Sequence, residues 1–90
     1  MIERQYENKY KVYVKVEAIF YPNGQIEPKA FWWESGRRYE IDQVVDVCRA
    51  ASLKAGGIGV RYTCMIRSHQ TFLFLEESRW FMERKESSSN

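Results

Sequence analysis

Histidine occurs once in the 90 residues, at His69, and cysteine only twice, at Cys48 and Cys64. So few imidazole and thiol groups remove most metal and triad chemistry, which needs several such side chains converging on one point. The two cysteines have no second pair beside them and fit no zinc-binding spacing, so they are read as buried and reduced. No apolar run approaches the ~20 residues of a membrane-crossing helix. The opening MIERQYE lacks the apolar core of a signal peptide. A cytoplasmic location with no membrane partner is therefore expected. Acid is missing from one long stretch: between Val47 and Leu75 there is no Asp or Glu, while Arg49, Lys54, Arg61 and Arg67 all fall there.

Large apolar side chains are plentiful. Hydrophobic residues make up 44% of the chain and aromatics 16%, with three Trp, six Tyr and five Phe. That supply of buried area lets a chain of this length offset its conformational entropy, and only one core fits. The net charge of +2 is too small for a polybasic nucleic-acid binder, so the distribution of charge matters more than its sum.

Periodicity points to strands. From Lys9 to Tyr21, Tyr10, Val12, Val14, Val16, Ala18 and Phe20 share one face, opposite Lys9, Lys11, Lys15 and Glu17. This is the period-two pattern of a half-exposed strand rich in β-branched residues. Pro22-Asn23-Gly24-Gln25 is a hairpin turn. Pro28 in the returning strand cannot donate to a ladder and marks an edge or a bulge. Ser35-Gly36 makes the next turn. Later strands are expected over Val60–Arg67, Thr71–Leu75 and Arg79–Glu83.

The segment after Arg38 has two readings. Tyr39, Ile41, Val45 and Val47 support a strand through about Val47. Asp42 as an N-cap, the Ala and Lys residues and Gly56 as a stop support a helix instead. The strand is preferred, with residues 49–59 as a loop or a short helical turn near 48–55. The whole is expected to be all-β: an antiparallel, five- to six-stranded, partly open barrel of SH3-like or OB-like type. Residues 1–8 form a flexible lead-in, 9–84 the barrel, and 85–90 a disordered tail.

The stretches FYPNGQIEPKAFWWESGRRYEID, RAASLKAGGIGVRYTC and FLFLEESRWFMERK resemble those of short uncharacterised proteins of Gram-positive bacteria. The resemblance covers about residues 11–84. It implies a compact bacterial β domain of small-barrel type and carries no assigned chemistry.

Three features are candidate sites. Gly56, Gly57 and Gly59 sit between Arg49, Lys54 and Arg61, a combination able to offer backbone N–H groups and cations to a phosphate. The segment lacks the Lys-Ser/Thr of a P-loop and precedes a strand where a dinucleotide fingerprint opens a helix. The plainer reading, a connector whose glycines set a bend, is preferred. Lys11, Lys15, Arg61 and Arg67, with Tyr13 interleaved, form a possible basic stripe for DNA or RNA; the alternative is a solvated face. Of the neighbours Trp32 and Trp33, one must face outward, where it can stack a base or anchor a protein. No nucleophile, acid and base can be assembled, so neither an enzyme nor a cofactor is expected. Two functions follow: a nucleic-acid-associated module on a basic face, or a protein-interaction or homodimerising domain using an exposed Trp and a sheet edge.

Overall fold

The computed structural model describes residues 10–52, 56 and 58–84. Seven strands follow one another: β1 (Lys11–Phe20), β2 (Ile26–Trp32), β3 (Arg38–Glu40), β4 (Gln43–Ala51), β5 (Ile58–Ile66), β6 (His69–Glu76) and β7 (Arg79–Glu83). They form one antiparallel sheet in the order β3-β2-β1-β7-β6-β5-β4. The all-β, barrel-like expectation holds, with seven strands rather than five or six because Ile41 and Asp42 break the Arg38–Val47 run into β3 and β4.

That break determines the shape. β3 and β4 are the two opposite edges of the sheet, yet only Ile41 and Asp42 separate them. The Ile41 N–H donates to the Lys29 carbonyl on β2 and the Asp42 N–H to the Met65 carbonyl on β5, each at 2.9 Å. A flat sheet cannot place its two edges within a two-residue reach, so the sheet curls into a half-barrel joined at this corner. Asp42 also accepts the Arg67 N–H at 2.7 Å. This ties down the β5–β6 turn, where Arg67 and Ser68 hold φ of 51° and 71°, the twist of a tight hairpin turn.

Both early hairpins close the same way. Gly24 N–H bonds to the Tyr21 carbonyl and Gly36 N–H to the Trp33 carbonyl, with φ near +93° and +92° at the two glycines. These are the positions where a side chain costs most. Pro28 pairs opposite Ala18, while Ala30 pairs opposite Glu17, so Lys29 is the extra residue of a bulge and Pro28 stands beside it. The burial alternation of β1 runs from Val12 to Ala18 and stops at the strand end. Phe20, expected inside, is 71% exposed.

Two cores lie on the two faces of the sheet. Phe31, Ile41, Tyr62, Cys64, Leu73 and Met82 fill the concave side, backed by Val14, Val16, Trp33, Trp80 and others. Phe74 and Phe81 alternate to the opposite side, yet they are almost fully buried and stack at 4.9 Å between ring centroids. The β4–β5 ribbon accounts for this. On a flat sheet Ser52 and Glu83 would lie about 20 Å apart along the strands and about 14 Å apart across them. In the structure the Ser52 hydroxyl donates to the Glu83 carboxylate at 2.6 Å. The end of the ribbon therefore folds back over the convex face and roofs the second core. The bend is at Gly59, where a Cβ would run into the Leu75 carbonyl oxygen.

This corrects the reading of residues 48–59. β4 continues to Ala51, with Arg49, Ala50 and Ala51 paired to Val60, Gly59 and Ile58. Cross-strand partners outweigh the helical preference of an Ala-rich stretch. Beyond Ala51, the Gly56 N–H donates to the Ser52 carbonyl, and residues 53–55 between them lie outside the described residues. The lead-in, the tail, Lys54 and Gly57 lie outside them.

Candidate functional site

The curl leaves one side of the half-barrel open. β3 covers β2 along Ala30–Trp32 and Ile41 takes the Lys29 carbonyl, so Ile26–Pro28 has an uncovered edge. Across the opening, β4 is the last strand of the sheet, and along Val44–Val47, which line the gap, its outer edge has no partner strand. The floor of this seam is apolar, formed by Val44, Val60, Tyr62 and Leu75, and its walls come from Tyr21–Glu27 and Val44–Val47. It encloses about 790 Å³. Val45 and Val47 on the wall are 48% and 50% exposed, and Tyr21 on the other wall and its neighbour Phe20 are exposed as well. An open strand edge beside unburied apolar side chains is a place for another chain to pair.

Among the described residues, the charged groups lining the seam are Glu27 and Asp46. Glu27 accepts from the Tyr21 hydroxyl at 2.7 Å and pairs with Lys29 at 3.4 Å. These contacts hold its carboxyl below the usual range, the Tyr21 bond being the larger effect. Asp46 stands opposite Thr63 at the bulge that leaves Val45 unpaired.

The outer face of β1, β2 and β7 carries a second arrangement. Lys15 Nζ and Arg38 lie 4.6 and 5.5 Å from the Trp32 ring centroid, and Arg79 lies 3.5 Å from that of Tyr13. Lys11 pairs with Glu76 at 3.1 Å. Partial burial works against its charge, but Glu76 and the Tyr13 hydroxyl outweigh that and raise its pKa. Arg38 is bound by Glu17 at 2.8 Å and Glu40 at 3.3 Å. The face is thus aromatic and basic, with acids interleaved.

The sequence candidates divide accordingly. Lys11, Tyr13, Lys15 and Trp32 share the outer face, together with Arg38 and Arg79, which were not among the candidates. Arg61 is on the same side but half-buried, 4.6 Å from the Phe72 ring centroid, with one guanidinium nitrogen 3.6 Å from Cys48 Sγ. Trp33 packs against the concave core. Arg49 is exposed on β4, and Arg67 lies in the β5–β6 turn at the opposite mouth of the half-barrel, beside Arg37, Tyr39 and His69. Gly56 is exposed with φ of 79°, whereas Gly59 is buried. The glycines and cations therefore do not form one phosphate cradle among the described residues. Nor is there a cluster of three His, Cys, Asp or Glu side chains able to hold a metal among them. No helix of the described residues is long and apolar enough to cross a membrane.

The seam was missed because its walls meet only in three dimensions. The available signal was QVVDV, which places valines on both phases of one strand and so cannot bury them all. Comparison with known protein families, with characterised proteins and with solved structures gives no match for this chain.

Proposed function

We propose that this chain is a protein-interaction module that takes an extended polypeptide strand into the open seam, paired along β4. The observation that carries this reading is the open edge of β4 at Val44–Val47 beside an apolar floor, with Val45 and Val47 half-exposed. Backbone pairing supplies affinity without regard to sequence, and alternate side chains of the guest reach the floor. Covering Val45 and Val47 contributes about 1 kcal/mol each.

The test is titration with a ten-residue Val/Thr-alternating peptide, N-methylated on alternate residues to leave one edge able to pair. Amide shifts and slowed amide exchange confined to Gln43–Ala51 are expected, and Val47→Lys should weaken binding about fivefold. No binding at millimolar peptide, or shifts centred elsewhere, would refute the proposal.

A second reading is favoured by the stacking of Arg79 on Tyr13 and of Lys15 on Trp32: the outer face takes single-stranded DNA or RNA. It calls for anisotropy with labelled oligonucleotides at two salt concentrations. Micromolar binding that falls steeply with salt and is lost in Lys15→Ala/Arg79→Ala supports it; salt-insensitive or absent binding removes it.

A further inference from the structure

We infer that the seam selects a basic strand: a guest that alternates apolar residues with Lys or Arg, whose cations meet Asp46 and Glu27. This inference rests on the strand-docking reading and names the chemistry of its partner. Both charged residues of the lining are acids. Glu27 is already engaged by Tyr21 and Lys29, so Asp46 is the main discriminator. It sits on the open edge strand, beside the unpaired Val45.

An added strand runs alongside β4. Its inward side chains lie over Val44, Val60, Tyr62 and Leu75, where a charge has no partner and an apolar group does. Its outward side chains pass the rim at Asp46, where a cation is attracted and an acid repelled. A guest with acids in those positions meets the Asp46 carboxylate, while Glu27 is already offset by Lys29. The floor therefore specifies what points in, and the rim specifies what points out. Of the basic residues described, Lys29 is taken up by Glu27, Arg49 stands on β4 opposite the floor residue Val60, and Lys11 and Lys15 lie on the outer face. Asp46, three residues before Arg49 and opposite Thr63, is the carboxylate left for a guest cation.

Two further peptides of the same N-methylated design, Val/Lys-alternating and Val/Glu-alternating, test this by amide shifts and anisotropy at low salt and at 0.5 M salt. The Lys peptide should bind roughly fivefold more tightly than the Glu peptide at low salt, with the gap narrowing at high salt. Asp46→Lys, an exposed substitution, should reverse the order. Equal affinities, or a preference for the Glu peptide, would overturn the charge selection while strand docking stands. Failure of the Lys, Glu and neutral peptides alike would overturn strand docking itself. Light scattering on the protein alone closes the remaining route. A concentration-dependent dimer abolished by Val47→Lys would show a second copy in the seam and overturn the assignment to a basic strand.

Discussion

Replacing Gly59 with alanine sets two effects of opposite sign against each other. Gly59 does not hold a positive φ, so alanine can adopt its backbone conformation. On that ground alone the substitution should stabilise the fold by about 0.4–1 kcal/mol, through the unfolded chain. Against this, the added Cβ meets the Leu75 carbonyl oxygen and lies 3.4 Å from Glu76 Cα. Those atoms are main chain of a paired strand and cannot rotate away, and overpacking of this kind costs about 1–3 kcal/mol or more. The clash should win, with net destabilisation of about 1–2 kcal/mol. A domain of this size has roughly 5–13 kcal/mol in hand, so the variant still folds. Urea unfolding followed by tryptophan fluorescence should show the midpoint falling by about 1–2 M at unchanged slope, for a slope of about 1 kcal/mol per M. Melting should drop by about 4–15 °C. An unchanged or higher midpoint would refute the account of the bend, and with it the folding of the ribbon over the second core.

Phe81→Ala should cost about 3–5 kcal/mol in the same urea assay, because Phe81 is fully buried against Phe74 on the roofed face. A surface-like loss below about 0.5 kcal/mol would mean that face is not a core. Burial pushes the Cys64 thiol from 9.0 up to about 11; iodoacetamide at pH 8 should leave it untouched in the folded protein and modify it in urea, as mass spectrometry would show. The Tyr62 hydroxyl is raised too, by burial and then by Cys64. Both groups hold their protons more tightly folded than unfolded. The Cys64 contribution is present below about pH 9 and is lost as pH rises through 11, and the Tyr62 contribution is lost as pH rises above 10.0. Urea midpoints should fall over that window, less steeply in Cys64→Ala.

Local pattern made much of the fold legible. The alternation of Lys11–Val16, the Asn23-Gly24 turn, the bulge at Pro28 and the strand from Val60 to Ile66 each follow from a few adjacent residues. What depended on distant partners did not show. The extent of β4 was hidden because Ala50 and Ala51 gain their strand from Gly59 and Ile58, not from their own preference. The turn at Arg67-Ser68 lacks the usual Asn-Gly and is held by Asp42 from another part of the chain. Lys15 and Trp32 could be singled out by type, and Arg38 by its nearness in sequence to the Trp pair, though its place beside the Trp32 ring follows from the register; Arg79 enters only through the pairing of β7 with β1. The acids of the seam read as ordinary surface charge until the curl set Glu27 facing β4.

The corner at Ile41-Asp42 also bears on how the chain can be rewired. Lys11 pairs with Glu83, and the Arg84 N–H reaches the Tyr10 carbonyl at 2.7 Å, so residues 10 and 84 are neighbours. A short turn between them, with the chain opened at the corner, gives a circular permutant running β4-β5-β6-β7-β1-β2-β3. Every strand then pairs with its neighbour in sequence, and the β1–β7 pairing, at present closed only after nearly the whole chain has been made, becomes a hairpin. Folding rate follows the sequence separation of contacts. The rewired chain should reach the same half-barrel faster than the natural order does, at the expense of the two bonds that pin its edges together.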